Sequence, residues 1–418
     1  MKRYLILILV IGIASLTGVH ILNLWRGVSH ARRALNQEQL LQAAQIDLDN
    51  PDPFYRLSVF HQWDLRHMDL RKSNDYLQQA IQKAPLQQDY WLHLATIFQN
   101  MDKKEDSERA LEKALLVFPT GYQGRWLAGN LLLQQGAPEK ALSHFSYILA
   151  HYPDDSRSIY DLWEAVAKDS DFILEKLIPK DYSSLQRYLT YLYEEREKDK
   201  AQKVWRLIES LGYQSNWKDT IRHIEFLITQ GDLKEAFQVW RTKAAAEGIP
   251  VSTDGNLINN PGFEIETRLG TGFDWTINQT PGAEVSIDHS VVFEGKSSLK
   301  IRFNDRENTD FHHVYQWIPW KPHTDYQLKV YMKTEGVTTQ SGPRMEVSGI
   351  DSALYGVSES LKGDNDWKEL RMAFRTPAQS QGGLLRVRRQ KAKNSDRLIS
   401  GIVWIDHVRL FEGRTGHD

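Results

Sequence analysis

The chain has no cysteine in 418 residues. That excludes disulfides, thiolate zinc sites and a cysteine nucleophile. It also lacks an excess of either charge. Lys and Arg total 52 against 54 Asp and Glu, a net charge of -2, which argues against whole-chain affinity for nucleic acid. Motifs of catalysis are missing too: no G-x4-GK[ST], no H-E-x-x-H and no G-x-S-x-G is present. Gly270-Thr271-Gly272 lacks the helix and third glycine of a dinucleotide loop. His312 and His313 are adjacent, so in a strand they are expected on opposite faces, unable to chelate one ion. A glycosidase needs two carboxyls facing across a cleft, and no segment reads as a catalytic domain to supply them. Long apolar runs are absent except for one. Tyr4 to Leu24 carries no formal charge and, at about 1.5 Å per residue, is long enough for a ~30 Å hydrocarbon core. The nearest small-x-small cleavage pattern, Ser29-His30-Ala31, lies beyond Trp25 and Arg26, so residues 1–30 are expected to be an uncleaved membrane anchor. Lys2 and Arg3 face Arg26, Arg32 and Arg33 across the run, which leaves the positive-inside rule near a tie.

What is present is a period. Pro51, Pro85, Pro119 and Pro153 stand 34 residues apart. Leu77, Leu111 and Phe145 precede the last three by eight positions, and Ala80, Ala114 and Ile148 by five. Trp91, Leu94, Ala95 and Phe98 fall at i, i+3, i+4 and i+7, one face of a helix. This pattern resembles the tetratricopeptide consensus, W-x2-L-G-x2-Y followed by A-x3-F-x2-A-x4-P, a helix–turn–helix unit that stacks into a solenoid. Gly129, Leu132, Ala141, Phe145 and Ile148 keep the register in the next unit, with Arg125 in place of its first Trp. The preceding unit is looser and has Ser73 where the second helix expects Ala. The resemblance implies that Trp91 is buried between the helices of its own unit and that the array docks proteins. Beyond Pro153 the register degrades, although Ala201, Trp205 and Ile208, then Ala236 and Trp240, mark further hairpins. Five to six hairpins are expected over residues 36–248.

After the turn-rich stretch Gly248 to Gly255 the periodicity becomes two. Leu299, Ile301 and Phe303 alternate with Ser298, Lys300 and Arg302. Tyr326, Leu328 and Val330 alternate with Gln327 and Lys329, and Leu385 and Val387 with Arg386 and Arg388. Short strands without intervening helices predict a β-sandwich over residues 254–413. If Ile318, Leu328, Val330, Val347, Leu385 and Val387 face the core, one outward face should carry His313, Tyr315, Trp317, Lys329, Tyr331, Arg344, Glu346, Arg386 and Arg388. Arg389 should point the other way.

Six segments resemble, in order, the jelly-roll carbohydrate-binding modules of families 4, 9 and 22. They are Asn256-Leu257-Ile258 with Asn260-Pro261-Gly262-Phe263-Glu264, then Gly272-Phe273-Asp274-Trp275, Glu294 to Leu299, Gln316 to Tyr326, Asp366 to Leu370, and Trp404-Ile405-Asp406-His407-Val408. The resemblance implies a sugar site on a sheet face, with His313, Tyr315, Trp317, Tyr331, Arg344, Glu346, Arg386 and Arg388 as its residues. Aromatic rings there stack on pyranoses and arginines pair with carboxylates. It also implies one structural calcium ion, for which Glu264, the Lys296 carbonyl and Asp406 are the candidates, although the family often has two acids where Asp406-His407 stands. Trp275 and Trp367 read as core or rim.

The expected architecture is therefore multidomain: an N-terminal transmembrane helix, an all-α tetratricopeptide solenoid and a C-terminal all-β jelly-roll sandwich. The expected function is a non-enzymatic scaffold, single-pass in the cell membrane with its body outside the cytoplasm. It would dock an envelope protein partner and bind a polysaccharide, with no nucleic-acid partner. The combination resembles accessory proteins of bacterial exopolysaccharide or O-antigen assembly and export. A pure protein–protein scaffold and an accessory part of a carbohydrate-active enzyme complex are the alternatives.

Overall fold

The computed structural model describes residues 29, 36–167, 170–252, 254–265, 272–392 and 397–413. The expected span from Tyr4 to Leu24 lies outside the described residues, and among those described no helix is long and apolar enough to cross a membrane. The architecture is corrected accordingly: the described residues form an all-α region followed by a two-sheet β region, with no membrane-spanning helix among them, and the single-pass membrane placement falls with it.

The chain divides into two compact units, Met1–Leu211 and Gly212–Asp418. In the first, helix α1 (Gln37–Ile46) precedes three hairpins: α2 (Pro51–Trp63) with α3 (Leu70–Lys83), α4 (Gln88–Asn100) with α5 (Lys104–Val117), and α6 (Tyr122–Gln134) with α7 (Pro138–His151). Leu77, Leu111, Phe145, Ala80, Ala114 and Ile148 are all buried, as the period requires. Gly129 allows α6 and α7 to cross closely, because a methyl there would sit 2.6 Å from the Phe145 ring. The serines at the small-residue position are satisfied through the crossing helix: Ser73 Oγ donates to Ser58 O at 2.8 Å and Ser107 Oγ to Ala95 O at 2.9 Å. The register fails after Pro153 for a visible reason. Helix α8 (Ser156–Val166) is followed not by a full partner but by a short segment in which an α-helical stretch, Ser170–Phe172, runs into a π-helical turn, Ile173–Leu177. Helices α9 (Tyr182–Glu194) and α10 (Lys198–Ser210) then resume the hairpin pattern.

Trp91 is half-buried rather than enclosed between its helices. Its indole N–H donates to the Pro85 carbonyl at 2.8 Å. One period later, Arg125 donates to the Pro119 carbonyl from Nε at 3.1 Å and Nη2 at 3.0 Å. The position thus requires a long side chain with an N–H that satisfies the turn carbonyl, and both residue types supply one. Trp91→Ala is expected to destabilise the helical unit by about 2 kcal/mol, the partial burial and the lost bond together. Trp91→Arg should recover at least half of that in thermal denaturation; equal losses in the two variants would show that the carbonyl bond is unimportant.

The second unit opens with the hairpin α11 (Trp217–Thr229) and α12 (Leu233–Ala246). The helical region read as 36–248 therefore spans both units. Strand structure begins with β1 (Thr276–Ile277), followed by β2 (Ala283–Asp288), β3 (Ser298–Asn304), β4 (Phe311–Pro319), β5 (Asp325–Val337), β6 (Arg344–Gly349), β7 (Leu354–Val357), β8 (Gly363–Arg375), β9 (Gly382–Arg389) and β10 (Ser400–Glu412). Sheet A runs β1-β4-β9-β6-β7 and sheet B runs β2-β3-β10-β5-β8. Ile318, Val347, Leu385 and Val387 of sheet A meet Leu328 and Val330 of sheet B in one buried core. The hairpin packs onto this sandwich. Phe237 and Trp240 meet the Phe273 ring edge-on at 5.1 and 6.2 Å. Leu233 lies on Gly382, where an added methyl would come within 2.5 Å of its Cδ2.

Candidate functional site

Alternation along β4, β9 and β6 places His313, Tyr315, Trp317, Arg386, Arg388, Arg344 and Glu346 on the outer face of sheet A. The register sets them in cross-strand rows. Tyr315 stands opposite Arg386, which stands opposite Glu346. Arg388 stands opposite Arg344, and Trp317 opposite Leu384. Gly382 continues the same face, so Leu233 of α12 covers the Pro319–Gly382 end of it.

Tyr331 and Lys329 do not join this face. Both lie on β5, on the outside of sheet B, because alternation within a strand says which residues share a side but not which sheet the strand enters. There the Tyr331 hydroxyl donates to Glu369 Oε2 at 2.8 Å, and that bond, with burial, raises its pKa. The two histidines also depart from expectation. A register shift between Phe311 and Val314 breaks the alternation, and the His312 and His313 rings stack at 4.6 Å. Burial, and then the neighbouring His312, lowers the His313 pKa.

The charges on the face are largely satisfied internally. Arg386 Nε donates to Glu346 Oε1 at 2.9 Å, and its Nη2 bonds the same oxygen. Arg388 Nη1 pairs with Asp310 Oδ1, a residue that sequence reasoning did not single out because it precedes the strand. Burial would raise the Asp310 pKa, but Arg388 outweighs it and the carboxyl stays below its usual range. Arg344 differs from its neighbours. Its Nη2 is 3.8 Å from Glu346 Oε2 and its buried Nε has no hydrogen-bond partner. The face thus presents two aromatic rings, Tyr315 and Trp317, beside one guanidinium with bonding capacity to spare.

The three calcium candidates meet the loop 293–297. Asp406 Oδ2 accepts from the Phe293 and Glu294 amides at 2.9 and 3.1 Å, and its Oδ1 from the His407 amide. Glu264 Oε1 accepts from the Lys296 and Ser297 amides at 2.8 and 3.1 Å. Burial raises the Asp406 pKa against those amide bonds, and the Glu264 charge adds to the rise. Two hard carboxylates within electrostatic reach suit calcium. The Lys296 carbonyl, however, accepts from His289 Nδ1 at 3.1 Å, and among the described residues no group of three carboxylate or histidine side chains gathers for an ion. Trp275 is buried, its indole donating to Asn260 O, and Trp367 is half-buried on sheet B.

Arg389 points inward, as alternation requires, and is fully buried. The basic stretch from Arg386 to Lys393 is therefore not one continuous surface.

No family model matches the chain, and no curated protein does. It is similar to solved structures. A crystal structure of MamA is 18% identical, with 29% of this chain and 69% of that one covered and a TM-score of 0.26; a second MamA structure is covered over 64% of its length, just under two thirds. PilF of Pseudomonas aeruginosa is 17% identical over 54% of this chain and 90% of that one, with a TM-score of 0.25. A structure described as "CBM4 structure and function" is 15% identical over 37% of this chain and 99% of that one, with a TM-score of 0.28. These likenesses are partial and weak.

Proposed function

We propose that the protein is a scaffold without chemistry of its own, which holds a polysaccharide on the outer face of sheet A and a protein partner on its helical repeats. The observation that carries the glycan reading is the row Tyr315–Arg386–Glu346, with Trp317 and Arg344 beside it. Its rings offer flat apolar plates for pyranose faces, and the buried pairing of Arg386 with Glu346 fixes the polar groups between them. The acids on the face support a binding role over hydrolysis. Glu346 is held by Arg386 and Asp310 by Arg388, so neither is free to act as a general acid or nucleophile. Calcium at Glu264 and Asp406 belongs to the same reading, with the Lys296 carbonyl exchanging its bond from His289 for the ion. A place in bacterial exopolysaccharide or O-antigen assembly is the setting we propose; glycosyltransferase or polymerase genes beside its own would support it.

The test is affinity electrophoresis of the full chain through the polysaccharide of its own cell. Retention should be weak, with a Kd of roughly 10–1000 μM, or about -4 to -7 kcal/mol. Tyr315→Ala and Arg344→Ala should each reduce it at least tenfold without a change in melting temperature. Calcium should raise that temperature and EDTA reverse the rise if the ion is held. Wild-type retention in both variants would remove this face, and no retention of the wild type would leave the protein–protein scaffold as the better reading.

A further inference from the structure

We propose a second binding site, for a carboxylate-bearing glycan, on the outer face of sheet B. It is separate from the sheet A face and stands whether or not that face binds.

The cross-strand register sets Arg409, Lys329 and Arg371 directly opposite one another on β10, β5 and β8. Neighbouring strands lie about 4.8 Å apart, and like charges directly opposite destabilise a sheet. Arg371 is relieved by an ion pair with Glu369. Lys329 and Arg409 have no ion pair among the described residues. Asp254 is near enough to feel the Arg409 charge, but its carboxylate is bound by Ser252 Oγ and the Asn256 amide. Two cations held directly opposite one another without a direct ion pair, with only Glu369 and Asp254 in electrostatic reach, suit a further anion from outside.

The next row supplies the rest of a sugar site. Phe293 lies flat on Tyr331 with ring centroids 3.6 Å apart and planes 13° from parallel. It is 38% exposed, with the Trp367 and His407 rings set at steep angles to it at 5.8 and 5.9 Å. The loop that carries it is fixed, because Asp406 accepts the Phe293 amide. A sugar ring stacked on Phe293 would bring a carboxylate towards Lys329 and Arg409, where a guanidinium can take it with two bonds. Nucleic acid fits less well, since a cation row three residues long is short of the wide basic surface such binding needs.

The experiment is calorimetric titration of the full chain with oligogalacturonate at low salt, beside its fully methyl-esterified form and single-stranded DNA. The acid should bind at least tenfold more tightly than the ester, and more tightly than DNA. The double change Lys329→Gln, Arg409→Gln should weaken the acid at least tenfold and melt no lower than wild type, because a repulsion is removed. Phe293→Ser should weaken acid and ester alike. Tyr315→Ala, on sheet A, should retain this binding. No binding by the wild type, wild-type binding by the double variant, equal affinity for acid and ester, or preference for DNA would each overturn the proposal.

Discussion

Arg389→Met is expected to destabilise the sandwich by about 3–5 kcal/mol, the range for breaking a buried charged network from one side. The guanidinium is completely shielded from solvent and so cannot rely on water for its hydrogen bonds. Instead Nη1 donates to Thr309 O at 2.6 Å and Asn308 Oδ1 at 2.8 Å, Nη2 to Arg397 O at 3.0 Å, and Nε to Ser341 O at 3.3 Å. It therefore ties together three loops at one end of the sheets. Methionine fills much of the volume but leaves those acceptors buried without donors. In a unit of this size the loss corresponds to a fall of roughly 6–20 °C in melting temperature. Arg389→Lys should recover only part of it, since a single ammonium cannot span the fork. A methionine variant within 1 kcal/mol of wild type in urea denaturation would mean that water replaces the guanidinium readily.

Asp288→Ala should cost about 3 kcal/mol, because it strips an acceptor from several donors at once. Trp404 Nε1, fully buried, donates to Oδ2 at 2.9 Å, and Lys300 Nζ reaches the same oxygen at 3.0 Å. Ser290 bonds Oδ1 through its amide at 2.8 Å and its hydroxyl at 2.6 Å. Burial alone would raise the Asp288 pKa, but these bonds outweigh it and hold the carboxyl far below its ordinary value. A depressed carboxylate contributes stability that is present above its unfolded pKa of about 3.9 and is lost as pH falls through the folded value. The wild-type sandwich should therefore lose stability below about pH 4. Asp288→Asn should flatten that part of the profile while lowering stability at pH 7. Parallel profiles for wild type and Asp288→Asn below that pH would show that another carboxylate controls acid unfolding.

The helical repeats and the sandwich core were legible because both depend on a period. Leu77, Leu111 and Phe145 recur every 34 residues since each unit must bury the same stripe against the next. Ile318, Leu328, Val330, Val347, Leu385 and Val387 face the core because side chains in a strand alternate. Where a period broke, so did the expectation. The shift after Phe311 stacked two histidines that alternation would have separated, and a short segment with a π turn at Ile173 replaced a full helix.

Sequence by itself determined the helix-then-strand order, the buried stripes, the inward turn of Arg389 and the aromatic and arginine content of the face around Tyr315. Those are properties of one segment, set by spacing along the chain. Only the tertiary structure decided which strands share a sheet, and so moved Tyr331 and Lys329 away from Tyr315 to the opposite side of the sandwich. It also decided that Arg386 and Arg388 are answered by Glu346 and Asp310 while Arg344 keeps a free Nε, and that Leu233 closes one end of the sheet A face. Strand order and ion pairing bring together residues tens of positions apart, and spacing along one segment holds no record of the partner that folding will place opposite it.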